Sequence, residues 1–194
     1  MDLDLLVGSG GVLSHAPRRE QSAKMLIDAF MPEGITQLAV DSIFMMPQLG
    51  VLAHVDKKEF SEDARKAALE VFHKDCLIRL GTCITPIGKA KPGDTILNAV
   101  MTLSDGTKKE QKLISGEIVR LEAPYKAIQA VLKPSKSMDI GGGKGQEIET
   151  NIFGGKVGLI FDGRDRPITI PINQEERLES IRSWSDALNE YPKN

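Results

Sequence analysis

Gly8-Ser9-Gly10-Gly11, directly after the apolar run Leu5-Leu6-Val7, is the stretch whose residue types could do chemistry. Glycines at positions 8, 10 and 11 remove three Cβ atoms, so the backbone can take φ > 0 and a flat ligand can lie against it. A short buried strand, a glycine turn and a helix start are the layout in which open α/β sheets hold nucleotides at their carboxyl edge. Spacing alone leaves open a tight strand-to-helix turn that holds no ligand.

Other candidates carry less. Asp139-Ile140-Gly141-Gly142-Gly143-Lys144-Gly145-Gln146 looks at first like a phosphate loop. Such a loop needs Ser or Thr after Gly-Lys and opens into a helix. Here Gly145 follows the lysine and the next residues alternate like a strand, so a wide turn is expected, with a partner-binding loop as the alternative. His15, His54 and His73 match no metal-ligand spacing, and Ser9 and Ser14 sit in no nucleophile elbow. No catalytic residue and no metal ligand is assigned. Asp162-Gly163-Arg164-Asp165-Arg166-Pro167 reads as a solvated loop tip, or as a docking loop if a partner binds there. Cys76 and Cys83 are too few for a disulfide framework and are expected reduced and buried.

The elements that must position these residues fall into two kinds. After the glycine turn, Arg18 to Phe30 has a helical face of Arg19, Ala23, Leu26, Ile27 and Phe30, and Thr36 to Val40 is a short strand. Asp41 or Ser42 can cap the segment after that strand. Pro47 inside a helix would cost about 3 kcal/mol, so the regular helix is placed from about Pro47 onward. Gly50 within it costs about 1 kcal/mol relative to alanine, which close packing against another backbone would offset. Lys57-Lys58-Glu59 is a charged break, and Ser61 with Glu62 and Asp63 starts a further helix.

From Cys76 the pattern turns to short strands: Leu77–Thr85, Thr95–Leu103, Lys108–Ile114, Glu117–Leu121, Ala127–Lys133, Glu147–Ile152, Val157–Phe161 and Ile168–Ile170. Asp105-Gly106 marks a hairpin. Strands at this spacing predict an antiparallel barrel or sandwich. Asn173 with Glu176 three residues on resembles a capping box for a closing helix, with Leu178, Ile181, Trp184 or Ser185, Leu188 and Tyr191 as its buried stripe.

The totals exclude several classes. A net charge of −2 gives no electrostatic footprint for nucleic acid or an anionic membrane. No apolar run approaches the roughly 20 residues that span a bilayer. Met1-Asp2-Leu3-Asp4 lacks a basic region before an apolar core, so no secretory signal is expected, and a cytoplasmic location is.

The order strand, double glycine, helix, strand, helix resembles the last third of the nucleotide-binding core of the actin, sugar kinase and chaperone ATPase superfamily. The stretch VGSGGVLSHAPRREQSAKMLIDAFMPEGITQLAVDSIFMMPQLGVLA is similar, more specifically, to the GlmL/MutL group, accessory proteins of adenosylcobalamin-dependent mutases such as glutamate mutase. That resemblance implies an α+β chain: a partial actin-like ATPase segment over 1–58, a connecting helix over 59–75, a β-rich domain over 76–172 and a carboxy-terminal helix over 173–194. It implies that Gly8, Ser9, Gly10 and Gly11 line an adenosine pocket for ATP or ADP. It further implies a reactivating chaperone whose partners are the mutase and an ATPase part preceding Met1. The phosphate and magnesium motifs of the superfamily are missing, so Mg-ATP is expected to need the full-length protein, with the chain inactive as an ATPase alone. A strand buried on both faces also needs neighbours that two strands and two helices do not supply, so the missing strands are expected either to precede Met1 or to come from another chain. The competing expectation is a non-catalytic interaction module with no nucleotide site.

Overall fold

The computed structural model describes residues 3–54 and 61–191. β1 (Leu5–Gly8) ends in the glycine turn, a single helical turn α1 (Gly11–Ser14) comes next, and α2 (Arg19–Phe30) leads back to β2 (Gly34–Asp41). β1 and β2 pair in parallel, with Leu5 opposite Gln37 and Gly8 opposite Val40. A parallel pair needs a crossover, and α2 supplies it. Its apolar residues Ala23, Leu26 and Ile27 recur at helical spacing and are all buried.

The sheet does not stop there. β3 (Leu77–Thr85) runs antiparallel to β2, β11 (Gly158–Asp162) parallel to β3, and β7 (Ile118–Leu121) antiparallel to β11. The result is a five-stranded mixed sheet in the order β1-β2-β3-β11-β7. It crosses the boundary that the sequence places at 59–75 and joins the two parts by backbone hydrogen bonds. At the crossing Gly81 takes φ 141° beside a bulge in β3, where Leu80 is the extra residue opposite the step from Leu38 to Ala39, and a Cβ on Gly81 would lie 1.7 Å from the Gly158 carbonyl oxygen. Only glycine fits.

A second, antiparallel sheet has the order β10-β8-β5-β6, with β5 (Thr95–Thr102), β6 (Lys108–Ile114), β8 (Ala127–Pro134) and β10 (Ile148–Phe153). β4 (Ile87–Gly88) and β9 (Met138–Asp139) form a small third ladder. Asp105-Gly106 closes the β5–β6 hairpin: Gly106 has φ 83°, and Asp105 Oδ1 accepts from the Thr107 amide at 2.9 Å. Met101 and Leu132 of this sheet share one core with Ile84, Leu159 and Phe161 of the first. On the opposite face Ile160, Leu38 and Leu80 pack with Leu26 and Ile27 of α2 and with Leu188 of α5 (Gln174–Leu188). The alternation Leu159, Ile160, Phe161 is what a strand buried on both faces requires.

The chain is therefore α+β, with two packed sheets, helices on one outer face and a helix closing the chain. No closed barrel forms among the described residues, which corrects that expectation. β3, β7 and β11 are taken into the sheet of β1 and β2, and the remaining four-stranded sheet keeps β10 and β6 as its ends. The expected strand at Ile168–Ile170 is not formed. In α5, Asn173 caps as expected by accepting from the Glu175 and Glu176 amides, but only the carboxyl half packs. Leu178, Ile181 and, beyond the helix, Tyr191 stay exposed, whereas Leu188 is buried.

A helical corner lies beyond the end of β2. α3 (Met46–His54) carries Pro47 in its first turn, where the missing amide costs nothing, and α4 (Glu62–Val71) is capped by the Ser61 hydroxyl. A π-helical turn, Phe72–Cys76, joins α4 to β3. Leu49, Ala68 and Cys76 form its small core. The charged break Lys57-Lys58-Glu59 lies outside the described residues.

Candidate functional site

The glycine turn sits at the carboxyl end of β1, beside the carboxyl end of its parallel neighbour β2. That is the edge where ligands of open α/β sheets bind. Its residues divide by direction. Gly8 is buried against the helices, because a Cβ there would come within 2.7 Å of Leu13 and 2.9 Å of Leu26. Gly10 faces open space: its φ is 115°, and a Cβ would meet nothing within 4 Å. Gly11 is exposed, and a Cβ there would lie 3.8 Å from the ring of Phe44. Ser9 turns inward and donates to Asp41 Oδ2 at 3.2 Å.

Asp41 organises the turn from the end of β2. The residue is fully buried, and its carboxylate accepts from the amides of Met45 and Met46 at 3.2 and 3.0 Å as well as from Ser9. It thus caps α3, as the sequence allows. Its backbone carbonyl accepts from the Ser14 hydroxyl at 2.6 Å, fastening α1 to β2. The loop it shapes holds Phe44 at φ 62°, a left-handed conformation rare for a bulky residue. Phe44 lies with its ring centroid 6.1 Å from that of His15, and Val12 (74% exposed), Ile43 and Met46 are further exposed apolar residues of these two segments. Sequence reasoning missed Phe44, because no pattern announces a positive φ at phenylalanine.

Residues 1–75 match the MutL protein family. The MutL-like segment contains the βαβ unit, the glycine turn, α3, α4 and most of the π-helical turn, and it stops just before β3. No curated protein and no solved structure matches the chain.

Two ion networks tie the MutL-like segment to the rest. Near the start of α2, buried Glu20 meets Arg120 of β7 at 3.4 Å and Arg18 at 3.2 Å. Near its end, Asp28 pairs with Arg164 at 2.8 Å. Arg164 also forms a two-point pair with Asp162, Nε to Oδ1 at 2.9 Å and Nη2 to Oδ2 at 2.8 Å, and its guanidinium lies 5.0 Å from the Trp184 ring. Arg166 adds a bond to Asp162 Oδ2 at 2.8 Å. Burial alone would raise the Asp162 pKa, but the hydrogen bond and charge of Arg164 and the charge of Arg166 outweigh it and hold the carboxyl below its ordinary range. The segment read as a solvated tip is therefore buried at Asp162 and Arg164, with Asp165 and Pro167 exposed. Alternating charges over six residues look alike whether they face water or one another.

The second glycine cluster is a self-contained turn. Asp139 Oδ1 accepts from the amides of Gly141 and Gly143 at 2.7 and 3.0 Å, so its own carboxylate occupies the place an anion would take. Among the described residues no group of three or more His, Cys, Asp or Glu could hold a metal ion, and no helix is long and apolar enough to cross a membrane.

Proposed function

We propose that this chain contributes the adenosine-facing edge of an actin-like ATPase and an attached β-rich part to a GlmL/MutL-like protein. In that reading the whole protein is an ATP-dependent reactivating chaperone for an adenosylcobalamin-dependent mutase. The observation that carries the proposal is the open space over Gly10, with exposed Gly11 beside Phe44, at the carboxyl edge of a βαβ unit within a segment that matches the MutL family. Gly10 and Gly11 offer backbone without side chains, and Phe44 offers an aromatic face beside them. These fit a flat purine. Gly8 and Ser9 support the turn from below rather than touch the ligand.

The magnesium and phosphate chemistry of such an ATPase is assigned to parts outside this chain. Asp41, the buried carboxylate at the turn, is engaged by Ser9, Met45 and Met46 and is not free to bind a metal. Phosphoryl transfer needs a metal, phosphate donors and an aligned nucleophile together. The chain alone is therefore proposed to bind ADP or ATP weakly and to hydrolyse neither. Among the described residues β1 is an end strand of its sheet, and its outer edge is where further strands of such a core would pair.

Calorimetric titration with ADP tests this. Weak saturable binding that is lost in Gly10→Val and weakened in Phe44→Ala, both still folded by circular dichroism, supports it. Absence of binding, with capture of an adenosylcobalamin-dependent mutase retained, favours the interaction module without a nucleotide site.

A further inference from the structure

A second cleft opens on the same edge of the five-stranded sheet, where β3 and β11 begin and β7 ends. Its volume is about 780 Å³, within the range of about 300–1,000 Å³ usual for small-molecule sites. Four side chains that are or can become cationic line it, His73, Lys74, Arg79 and Lys156, and no acidic residue does. Leu77, Ile78, Pro124 and Tyr125 supply the apolar part.

Three separate segments place the four groups. The π-helical turn carries His73 and Lys74 to the rim, and such turns recur at functional sites. Arg79 stands on β3, half-buried, with its guanidinium 5.9 Å from the Tyr125 ring. Lys156 precedes β11, and its backbone N–H donates to the Arg79 carbonyl at 3.0 Å, which pins it there. Gly155 beside it must be glycine, since a Cβ would lie 2.5 Å from the Leu80 carbonyl group, and its absence lets this segment lie against the backbone of β3. Among the described residues neither Arg79 nor Lys156 has a carboxylate within ion-pair distance; Lys74 has only exposed Glu70, at 3.4 Å.

Cationic side chains lining a hollow that no acidic residue lines attract an anion, and a phosphate, with about −1.5 to −2 charges, matches them better than a single carboxylate. We propose that this cleft binds a small organic phosphate, its phosphate between Arg79 and Lys156 and its apolar or aromatic body against Tyr125 and Pro124. The site is independent of the glycine turn and stands whether or not the turn binds adenosine.

The probes are inorganic pyrophosphate, ADP and uncharged adenosine, titrated into the full chain labelled with nitrogen-15. Pyrophosphate and ADP are expected to shift the amides of 73–79 and 155–156 saturably, and adenosine to leave them unmoved. Lys156→Glu, on an exposed side chain, should weaken that response at least tenfold, with Lys74→Glu as a second variant; Gly10→Val should leave it unchanged. No response at these amides, or one equally strong in Lys156→Glu and Lys74→Glu, overturns the proposal. Shifts confined to 8–11 overturn it while supporting the adenosine turn, and shifts confined to the cleft do the reverse.

Discussion

The Ser9 hydroxyl and the Asp41 carboxylate lie 3.2 Å apart, tying the turn after β1 to the end of β2. The same carboxylate caps α3, so one buried group sets both the floor of the turn and the direction of the helix beside it. Asp41→Ala removes the acceptor for Ser9, Met45 and Met46 together. Loss of a cap costs about 1–2 kcal/mol, and buried donors left unpaired add about 1–3 kcal/mol. Urea unfolding should show a loss in the range of about 2–5 kcal/mol, with amides of α3 exchanging first. Asp41→Asn, which keeps one carbonyl oxygen, should lose less.

Arg164 joins Asp28 of the MutL-like segment to Asp162 of β11. Removing one partner of a buried pair costs about 3–5 kcal/mol, so Arg164→Met should destabilise the chain by that order in a denaturant melt. The carboxyl of Asp162 titrates lower in the folded chain than in the unfolded one, where it sits near 3.9. Its contribution is therefore complete above about pH 4 and is lost as pH falls through the folded value. Stability of the native chain should fall with acid below about pH 4, and Asp162→Asn should flatten that slope.

Gly50 contradicts the packing expected of it. A Cβ there meets nothing within 4 Å. In this chain Gly50→Ala should raise stability by about 1 kcal/mol, the ordinary helix-propensity gain. A partner that packs its backbone on this face of α3 would be weakened by the same change. Thermal unfolding of the chain alone checks the first statement.

Much of this was legible in sequence because the signals are local. Asn173 and Ser61 announce helix starts, Asp105-Gly106 a hairpin, and the spacing of Ala23, Leu26 and Ile27 a buried helix face. What escaped is long-range. Nothing near Leu77 says that β3 will pair with β2 rather than with another strand of the β-rich region. Nothing near Asp162 says that its partner Arg164 also reaches α2, more than a hundred residues away. Tyr125 and Arg79 lie far apart in sequence, so the basic cleft could not be read from either. At the glycine turn the residue types were visible, but their directions, Gly8 inward and Gly10 outward, come only from the backbone.

Cys83 and Cys76 are both buried and free. Burial, with Asp162 nearby, pushes the Cys83 thiol up to about 12, and burial with Asp41 and Asp75 raises Cys76. A thiolate is the reactive form. At pH 8 a disulfide reagent should label neither cysteine in the native chain and both in urea.

Nuclear Overhauser contacts between bound ADP and the chain test the adenosine turn most directly. The account predicts contacts from the adenine and ribose protons to the α-protons of Gly10 and Gly11 and to the Phe44 ring. Contacts to Tyr125 alone, or none to residues 8–11 at saturating ADP, would contradict it.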